Sequence, residues 1–239
     1  MKLFPIALLL ISFITPFSVN AVPTDGDDAV AQLRESLAKS MPKVKPTKIS
    51  TTPVTGLYEV IVGSQVVYMD INGRYMIEGD LFDLKTKVNV TENAKSVIRL
   101  AAVDKLGSDS MIVYTPEKIK HTITVVTDID CPYCRRLHNE IPDYLENEVQ
   151  VRYIFMPLKG SADMKKTVSV WCSDDQQLAL DIAKAGGEVE DKTCKNPIKK
   201  HLKVARELGV RGTPAILLED GTLLPGYVPF DKLVAELRK

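Results

Sequence analysis

The sequence has no excess of charge of either sign, because its 31 lysine and arginine residues are balanced by 31 aspartates and glutamates. A balanced charge without a basic cluster argues against a nucleic-acid partner and against a polybasic membrane surface. Cysteine is also scarce, since the chain has four and only one closely spaced pair. One close cysteine pair supplies only two of the four ligands that a structural zinc site needs, so no metal is expected. No other cofactor is expected either. After residue 21 no apolar run is long enough to cross a bilayer.

The N-terminus has the pattern of a secretory signal peptide. Lys2 precedes the apolar run LFPIALLLISFITPF, and Val19 and Ala21 stand at the −3 and −1 positions of a cleavage site after SVNA. Two prolines interrupt the run, which is short for a membrane span; a retained anchor is the alternative. We therefore expect residues 1–21 to be removed and the mature protein to be soluble and exported.

Residues 22–90 are predicted to form a small, β-rich unit. Residues 29–37 have apolar side chains at helical spacing, and the three prolines of MPKVKPTKISTTP then end the helix. Three strand-like segments follow, GLYEVIVG, QVVYMDI and RYMIEGDLFDL, and the last two are joined by Asn72-Gly73, which favours a two-residue hairpin. A unit of this size rarely buries enough core alone. It either pairs with a second copy through an edge strand or packs on the rest of its own chain.

Residues 91–110 are predicted to form a linker helix, which Thr91 caps and Gly107 ends. Strands on both sides favour a spacer between two domains over a helix packed within one. In residues 111–239 the pattern is strand, helix, strand, further helices, a hairpin at Asp220-Gly221 and a last helix. This order is typical of an α/β domain with a mixed sheet.

Cys131 and Cys134 lie in the segment TVVTDIDCPYCRRLHNEIPDYL, where a run of β-forming residues gives way to a helix-like one. The first turn of a helix favours negative charge, so this position lowers the pKa of Cys131 and favours its reactive thiolate. Pro132 is accepted in a first helical turn. Cys134 follows three residues later, near enough to close a small disulfide ring with Cys131.

Redox chemistry is the favoured interpretation of this pair, and the alternatives are weaker. Covalent haem attachment requires histidine directly after the second cysteine, where Arg135 stands. Zinc binding would use His138 as a third ligand and lacks a fourth. An inert structural disulfide is the main alternative, although so short a ring removes little chain entropy.

A second feature is Thr213-Pro214 in the segment GVRGTPAILLE. Proline lacks the N–H that a sheet requires, so Pro214 is expected at the first position of a strand. Considered alone, this peptide bond is expected to be trans, as most bonds to proline are in folded proteins.

The motif DIDCPYC, followed about eighty residues later by GTPA, resembles the thioredoxin fold, in which a CxxC pair at a helix start faces a cis-proline loop. The resemblance extends from Asp27 to the C-terminus. Three segments are similar to the dimerisation domain, the start of the catalytic domain and the cis-proline loop of the DsbC family of periplasmic disulfide isomerases: VVYMDINGRYMIEGDLFDL, MIVYTPEKIKHTITVVTDIDCPYCRRLH and GVRGTPAILLEDGTLLPGY. The resemblance implies a cystatin-like dimerisation domain, a linker helix, and a thioredoxin-like catalytic domain with a helical insertion.

The resemblance also implies roles for the residues of these motifs. Cys131 would be the attacking cysteine and Cys134 the resolving cysteine. Thr213 and cis-Pro214 would bind an extended segment of the substrate, and Tyr133, between the two cysteines, would contribute to the same binding.

Two further pairs of residues have expected roles. Cys172 and Cys194 would form a structural disulfide, and the alternative for Cys172 is a buried thiol beside Trp171. Asp128 and Asp130 are the acids nearest the motif and are candidates to accept the proton of the resolving cysteine. The alternative for both acids is that they are merely solvated.

The function implied is that of a homodimeric disulfide isomerase and reductase, which acts on misoxidised exported proteins in the periplasm and has accessory chaperone activity. Its cysteines must then be reduced at rest, which implies an electron donor similar to the membrane reductase DsbD. CPYC departs from the glycine that is common in this family after the first cysteine and resembles DsbG. A DsbG-like reductase of single oxidised cysteines with holdase chaperone activity is therefore an alternative. A DsbA-like oxidase and a chaperone in which the cysteines are secondary are further alternatives.

Overall fold

The computed structural model describes residues 26–158 and 160–238, so the predicted signal peptide over residues 1–21 lies outside the described residues. The described chain forms two units, each with its own sheet and core, joined by a long helix. No helix within these two ranges is long and apolar enough to span a membrane.

The N-terminal unit is a helix packed on an antiparallel sheet. Helix α1 (Gly26–Ser40) precedes four strands that pair in chain order: β1 (Lys48–Thr51), β2 (Leu57–Val62), β3 (Gln65–Asp70) and β4 (Met76–Ile77). The apolar stripe of α1, which includes Leu33 and Leu37, is buried in the core of this unit. Burial of each of these leucines stabilises the fold by roughly 1.5–3 kcal/mol.

Strand β1 lies inside the proline-rich segment MPKVKPTKISTTP, where no strand is predicted from the sequence. The three prolines flank the strand rather than interrupt it, so the N–H groups that pairing requires are present. Ile49 lies opposite Val60 of β2, and both side chains are buried in the core.

The segment RYMIEGDLFDL forms two short strands rather than the single predicted one. Strand β4 pairs with β3, whereas β5 (Phe82–Asp83) leaves that sheet and pairs with β6 (Val88–Asn89). The hairpin predicted at Asn72-Gly73 is present, but its loop is longer than two residues. The loop is held by the Asp70 carboxylate, which accepts hydrogen bonds from the N–H groups of Asn72 and Tyr75.

Helix α2 (Val90–Leu106) joins the two units. Its N-cap is Asn89 and not the predicted Thr91. The buried Thr91 hydroxyl instead bonds to the hydroxyl of a tyrosine in β3. The helix is also more than a spacer, because Ile98 packs with the N-terminal unit and Val103 with the C-terminal unit.

The C-terminal unit is the predicted α/β domain with a mixed sheet. Its elements in chain order are β7 (Ile112–Tyr114), β8 (His121–Thr127), α3 (Pro132–His138), α4 (Ile141–Glu146), β9 (Val149–Phe155), α5 (Ser161–Trp171), α6 (Gln176–Lys184), α7 (Ile198–Glu207), β10 (Ala215–Leu217), β11 (Leu223–Pro225) and α8 (Phe230–Leu237). The five strands pair in the order β11-β10-β8-β9-β7, and only β8 and β9 are parallel. Helices α5 and α6 lie between β9 and α7 and form the expected helical insertion.

Strands β8 and β9 form the centre of this sheet and are largely buried. Ile123 and Val125 of β8, and Val151 and Tyr153 of β9, have no exposed surface. A run of apolar residues that is buried on both faces is typical of parallel strands covered by helices. The end of β8 therefore has a fixed position, and the loop that follows it leads directly to Cys131.

Cys172 and Cys194 form a disulfide, with their Cα atoms 5.7 Å apart. The bond joins the C-terminal end of α5 to the irregular segment before α7. It closes a loop with a sequence separation of 22 residues. A crosslink of this span restricts the unfolded chain and thereby stabilises the folded one.

We expect the double variant Cys172→Ser/Cys194→Ser to lower the free energy of unfolding by about 3 kcal/mol, because its unfolded chain is no longer restricted. Urea unfolding followed by circular dichroism measures the difference. After reduction of the disulfide, wild type and variant should unfold at the same urea concentration. Equal stability of the two proteins under oxidising conditions would contradict the prediction.

Candidate active site

Cys131 is positioned by the end of β8 and the start of α3. The loop of residues 128–130 follows β8, and Cys131 is the N-cap of α3, with a proline in the first helical position. The buried Asp128 carboxylate anchors this loop, because it accepts hydrogen bonds from the N–H groups of Asp130 and Leu158, each at 2.8 Å. The loop that leads to Cys131 is thus tied to the segment that follows β9.

Cys131 is half-buried, and its pKa is lowered. Burial alone raises the pKa of the thiol, but hydrogen bonding to the sulfur outweighs this effect. The donors are the N–H and thiol of Cys134, the Thr213 side chain and the N–H of Tyr133. Such donors stabilise a thiolate more than a thiol, so Cys131 is the readily ionised cysteine of the pair.

Cys134 has the opposite environment. Only 1% of its surface is exposed, and burial raises its pKa. The charge of Lys184 and several hydrogen bonds, one of them with Thr127, oppose this rise without reversing it. Cys131 is therefore the more accessible and more readily ionised cysteine, whereas Cys134 is shielded from large molecules.

The peptide bond between Thr213 and Pro214 is cis, and it lies against Cys131. The Cys131 thiol donates a hydrogen bond of 3.2 Å to the Thr213 carbonyl oxygen, across 82 residues of sequence. Antiparallel pairing of β10 with β8 sets this approach, because it places Ala215 opposite Val126. The buried Thr213 hydroxyl is close enough to act on both sulfurs.

Tyr133 is exposed next to Cys131 and stacks on Tyr227, with ring centroids 6.5 Å apart and ring planes 25° apart. The Arg136 guanidinium lies over the Tyr227 ring, 4.8 Å from its centroid. The two rings and the guanidinium form an aromatic surface at the edge of the site. Tyr227 ends the segment GVRGTPAILLEDGTLLPGY, but only the folded structure shows that it stacks on Tyr133.

The two acids nearest the motif are both engaged in fixed interactions. Asp130 bonds to Lys166 and Arg135, each at 2.7 Å. Burial alone raises the pKa of Asp130, but these two cations outweigh burial and lower it. Asp128 uses both carboxylate oxygens on backbone N–H groups. Both carboxylates are therefore held by other groups, and a role for either as the proton acceptor of Cys134 stays a prediction.

His138 is not available as the third ligand that zinc binding would require. Its Nδ1 atom bonds to the Tyr153 hydroxyl at 3.0 Å, and its Nε2 atom bonds to the Asp181 carboxylate at 2.9 Å. Because both ring nitrogens are engaged in the interior, the zinc interpretation lacks its third ligand as well as its fourth.

Comparison with known proteins matches both units of the chain. A family described as "Disulfide bond isomerase protein N-terminal domain" matches residues 24–92, and a family described as "Thioredoxin-like domain" matches residues 108–239. The thiol:disulfide interchange protein DsbC of Dickeya dadantii is 37% identical over 96% of this chain and 94% of its own. DsbC of Salmonella typhimurium is 40% identical over 84% of this chain and 83% of its own. The chain belongs to the DsbC family.

Membership of the DsbC family makes this protein a thiol–disulfide oxidoreductase of the disulfide isomerase type. The thioredoxin-like fold is also found in solved structures. A linker-deletion mutant of ScsC from Proteus mirabilis superposes with a TM-score of 0.51, at 22% identity, over 62% of this chain and 84% of that one. The expected fold class is thus confirmed: a DsbC-type N-terminal domain is followed by a thioredoxin-like domain with inserted helices.

The site also contains a lysine that no sequence motif indicates. Lys184 stands at the end of the amphipathic helix α6, where lysine is ordinarily exposed to solvent. Packing of α6 on α3 leaves it 2% exposed. Its Nζ atom donates hydrogen bonds to Thr127 Oγ1 and to the Asp128 carbonyl oxygen, both at 2.7 Å.

We expect Thr213→Val to raise the pKa of Cys131, because the variant keeps the shape of the side chain and removes the hydroxyl near the sulfur. The rate of Cys131 alkylation by iodoacetamide should fall about threefold at about pH 7, because a smaller fraction of the thiol is then ionised. The rates should converge at alkaline pH, where the thiol is ionised in both proteins. Mass spectrometry of quenched samples measures the rates, and Thr222→Val, in the turn between β10 and β11, is the control. Identical rates for Thr213→Val and wild type at every pH would refute this role of the hydroxyl.

Proposed function

We propose that this DsbC-family protein rearranges and reduces disulfides of misoxidised exported proteins, with Cys131 as the attacking cysteine and Cys134 as the resolving cysteine. The observation that carries the proposal is the contrast between the two thiols. Cys131 is accessible and has a lowered pKa, whereas Cys134 is buried and has a raised pKa. A thiolate is the attacking species in disulfide exchange, so only Cys131 is ready to attack a client protein.

The reaction begins when the Cys131 thiolate attacks one sulfur of a client disulfide. A mixed disulfide forms between Cys131 and the client, and the second client sulfur leaves as a thiolate. If another client thiol attacks the mixed disulfide, the client leaves with a rearranged disulfide and Cys131 is restored. If Cys134 attacks instead, the client leaves reduced and the two cysteines of the protein are oxidised in its place.

Thr213 and Pro214 are proposed to bind an extended client segment beside Cys131. Support comes from residues 212–213, which precede β10 and take part in no strand pairing within the described chain. The backbone groups of Gly212 and the Thr213 N–H are therefore left for a client strand, whereas the Thr213 carbonyl oxygen accepts from the Cys131 thiol. Tyr133 adds an exposed aromatic ring next to the attacking sulfur.

Residues 22–90 are proposed to form a dimerisation domain whose partner is a second copy of this chain. Strand β4 is an edge of the four-stranded sheet, and its residues Met76 and Ile77 are 59% and 55% exposed. Exposed apolar side chains continue at Tyr75, Phe82 and Leu84. An exposed edge with apolar side chains favours pairing with another chain.

In such a homodimer, the linker helix over residues 91–110 joins each dimerisation domain to a catalytic domain over residues 111–239. Two catalytic domains in one assembly present two thiolates and two aromatic surfaces to a client. Apolar surface on two sides of an unfolded protein is the proposed basis of the accessory chaperone activity.

The periplasm is the proposed location. The signal peptide predicted for residues 1–21 directs export, and the disulfide between Cys172 and Cys194 suits an oxidising compartment. In that compartment Cys131 and Cys134 require a supply of electrons to stay reduced. A DsbD-like membrane reductase is proposed as the donor.

A DsbG-like reductase is the second candidate function, favoured by Pro132 and Tyr133 between the two cysteines. In that function the Cys131 thiolate attacks the sulfenic acid of a single oxidised client cysteine. Hydroxide leaves and is protonated to water, and a mixed disulfide results. Cys134 then attacks the mixed disulfide and releases the client thiol.

Cys131→Ala is expected to abolish the rearrangement of a scrambled multi-disulfide protein, because no thiolate remains to attack it. Recovery of the client's enzymatic activity measures the rearrangement. Cys134→Ala retains the attacking thiolate and should accumulate a mixed disulfide with the client, visible on a non-reducing gel.

Rearrangement by Cys131→Ala at the wild-type rate would refute the assignment of the attacking cysteine. A wild-type protein that reduces a single sulfenic acid but rearranges no disulfides would favour the DsbG-like function over the isomerase.

Ile77→Lys is expected to convert the dimer into a monomer, because a charged side chain on an edge strand opposes pairing. Analytical ultracentrifugation measures the change in mass. The monomer should reduce small disulfides at the wild-type rate but rearrange a protein client several-fold more slowly. Leu178→Lys, which changes an apolar residue of α6 that is 56% exposed, is the matched control and should remain dimeric. An Ile77→Lys protein that stays dimeric would show that the interface lies elsewhere.

A further inference from the structure

Lys184 lies in the interior next to Cys134, and its surroundings are unusual for a lysine. Its two hydrogen-bond acceptors are neutral oxygens, Thr127 Oγ1 and the carbonyl oxygen of Asp128. Within the described ranges no carboxylate forms a salt bridge with Nζ. A buried cation without an ion-pair partner is costly, so such a lysine readily becomes neutral.

The number of hydrogen bonds at Nζ also suits a neutral amine. An ammonium group has three donors, whereas a neutral amine has two donors and a lone pair. In the neutral form one N–H donates to the Asp128 carbonyl oxygen, and the lone pair faces the Thr127 hydroxyl, 2.7 Å from Nζ, which is able to donate to it. Burial acts in the same direction and lowers the pKa of Lys184 to about 8. This value suits a general base that works near neutral pH.

Cys134 shares these neighbours with Lys184. Hydrogen bonds with Asp128 and Thr127, together with the charge of Lys184, act on the Cys134 sulfur. The Thr127 hydroxyl therefore connects the thiol to the amine. A hydroxyl group accepts a hydrogen bond from one neighbour while it donates one to another, so it is able to pass a proton between them.

We propose that Lys184 accepts the proton of Cys134, through the Thr127 hydroxyl, in the step in which Cys134 releases the client. The inference rests on the proposed function, since it requires Cys134 to be the resolving cysteine. Cys134 is buried and is a thiol at rest, and a thiol is a poor nucleophile. The step therefore needs a base in the interior, and the carboxylates of Asp128 and Asp130 are already engaged.

The step conserves protons and electrons. Cys134 gives its proton to Thr127 Oγ1, whose own proton passes to the lone pair of Lys184. The Cys134 thiolate attacks the Cys131 sulfur, so the bond between the two cysteines forms and the bond between Cys131 and the client breaks. The client sulfur leaves as a thiolate with the electron pair of the broken bond. The Lys184 ammonium later releases its proton to solvent.

Other charged and titratable groups surround the pair and act on the same equilibrium. The negative charges of Cys131 and Asp128 favour the ammonium form of Lys184, whereas the positive charge of Arg135 opposes it. Burial, and then the charge of Lys184, lowers the pKa of His138, and the Asp181 carboxylate opposes that change. The groups that surround Lys184 and Cys134 come from the loop after β8, from α3, from α6 and from β9. They are Asp128, Cys131, Arg135, His138, Asp181 and Tyr153.

A reaction with an aromatic disulfide that releases a coloured nitrothiophenolate separates the two cysteines. Attack by Cys131 releases the first equivalent, and attack by Cys134 on the resulting mixed disulfide releases the second. We expect Lys184→Met to leave the first step nearly unchanged and to slow the second step about 100-fold or more at about pH 7.

The pH dependence of the second step distinguishes proton transfer from packing. In wild type its rate should rise with pH through about 8, as Lys184 loses its proton. In Lys184→Met the rise should be displaced to higher pH, because Cys134 then ionises unaided and burial raises its pKa. The two rates should converge only at a pH at which the Cys134 thiol is ionised in both proteins.

Variants of Thr127 test the relay without changing the lysine. Thr127→Val keeps the shape and removes the hydroxyl, so it should show the displaced profile, whereas Thr127→Ser keeps the hydroxyl and should show the wild-type profile. If Lys184→Met does not fold, this pair of variants decides the question. Lys165→Met makes the same chemical change at an exposed lysine of α5, which pairs with Asp191, and serves as the control.

A wild-type pH profile of the second step in Lys184→Met or in Thr127→Val would overturn the inference. A slower second step with an unchanged pH midpoint would also overturn it, because it would leave Lys184 only a packing role. Loss of the first step in wild type, or its persistence in Cys131→Ala, would instead refute the proposed function on which the inference rests.

Discussion

The antiparallel pairing of β10 with β8 is the interaction on which the rest of the site depends. It places Ala215 opposite Val126, and as a result the Thr213 carbonyl oxygen reaches the sulfur of Cys131. Strand β8 is buried between β10 and β9, so a shift of register would move its side chains out of the positions in which they pack. The sheet thereby sets the distance between the two loops from which the site is built.

The two cysteines acquire different properties within one turn of α3. At Cys131 hydrogen bonding to the sulfur outweighs burial, and the pKa falls; at Cys134 burial outweighs the opposing groups, and the pKa rises. Depth in the molecule therefore separates the two roles that we propose. The same depth creates a need for an internal base, and the lysine at the end of α6 is the group placed to meet it.

Short-range patterns predicted most helices, the central strands and the position of the CxxC pair, because these depend on spacing within one segment. They failed where a single side chain decided the local geometry. Asn89 and Thr91 both suit an N-cap, and the helix starts at Asn89 because the Thr91 hydroxyl is used inside the fold. The Asp70 carboxylate likewise lengthens a turn that the sequence Asn72-Gly73 alone predicts to be short.

By itself the sequence determined the family, the order of the elements and the reactive pair, since all of these depend on the order and spacing of residues along the chain. Only the tertiary structure decided that Asp128 and Asp130 are already engaged, that Tyr227 stacks on Tyr133, and that Lys184 is buried next to Cys134. Burial and pKa depend on groups that are distant in sequence and meet only through packing. A local pattern carries no information about them.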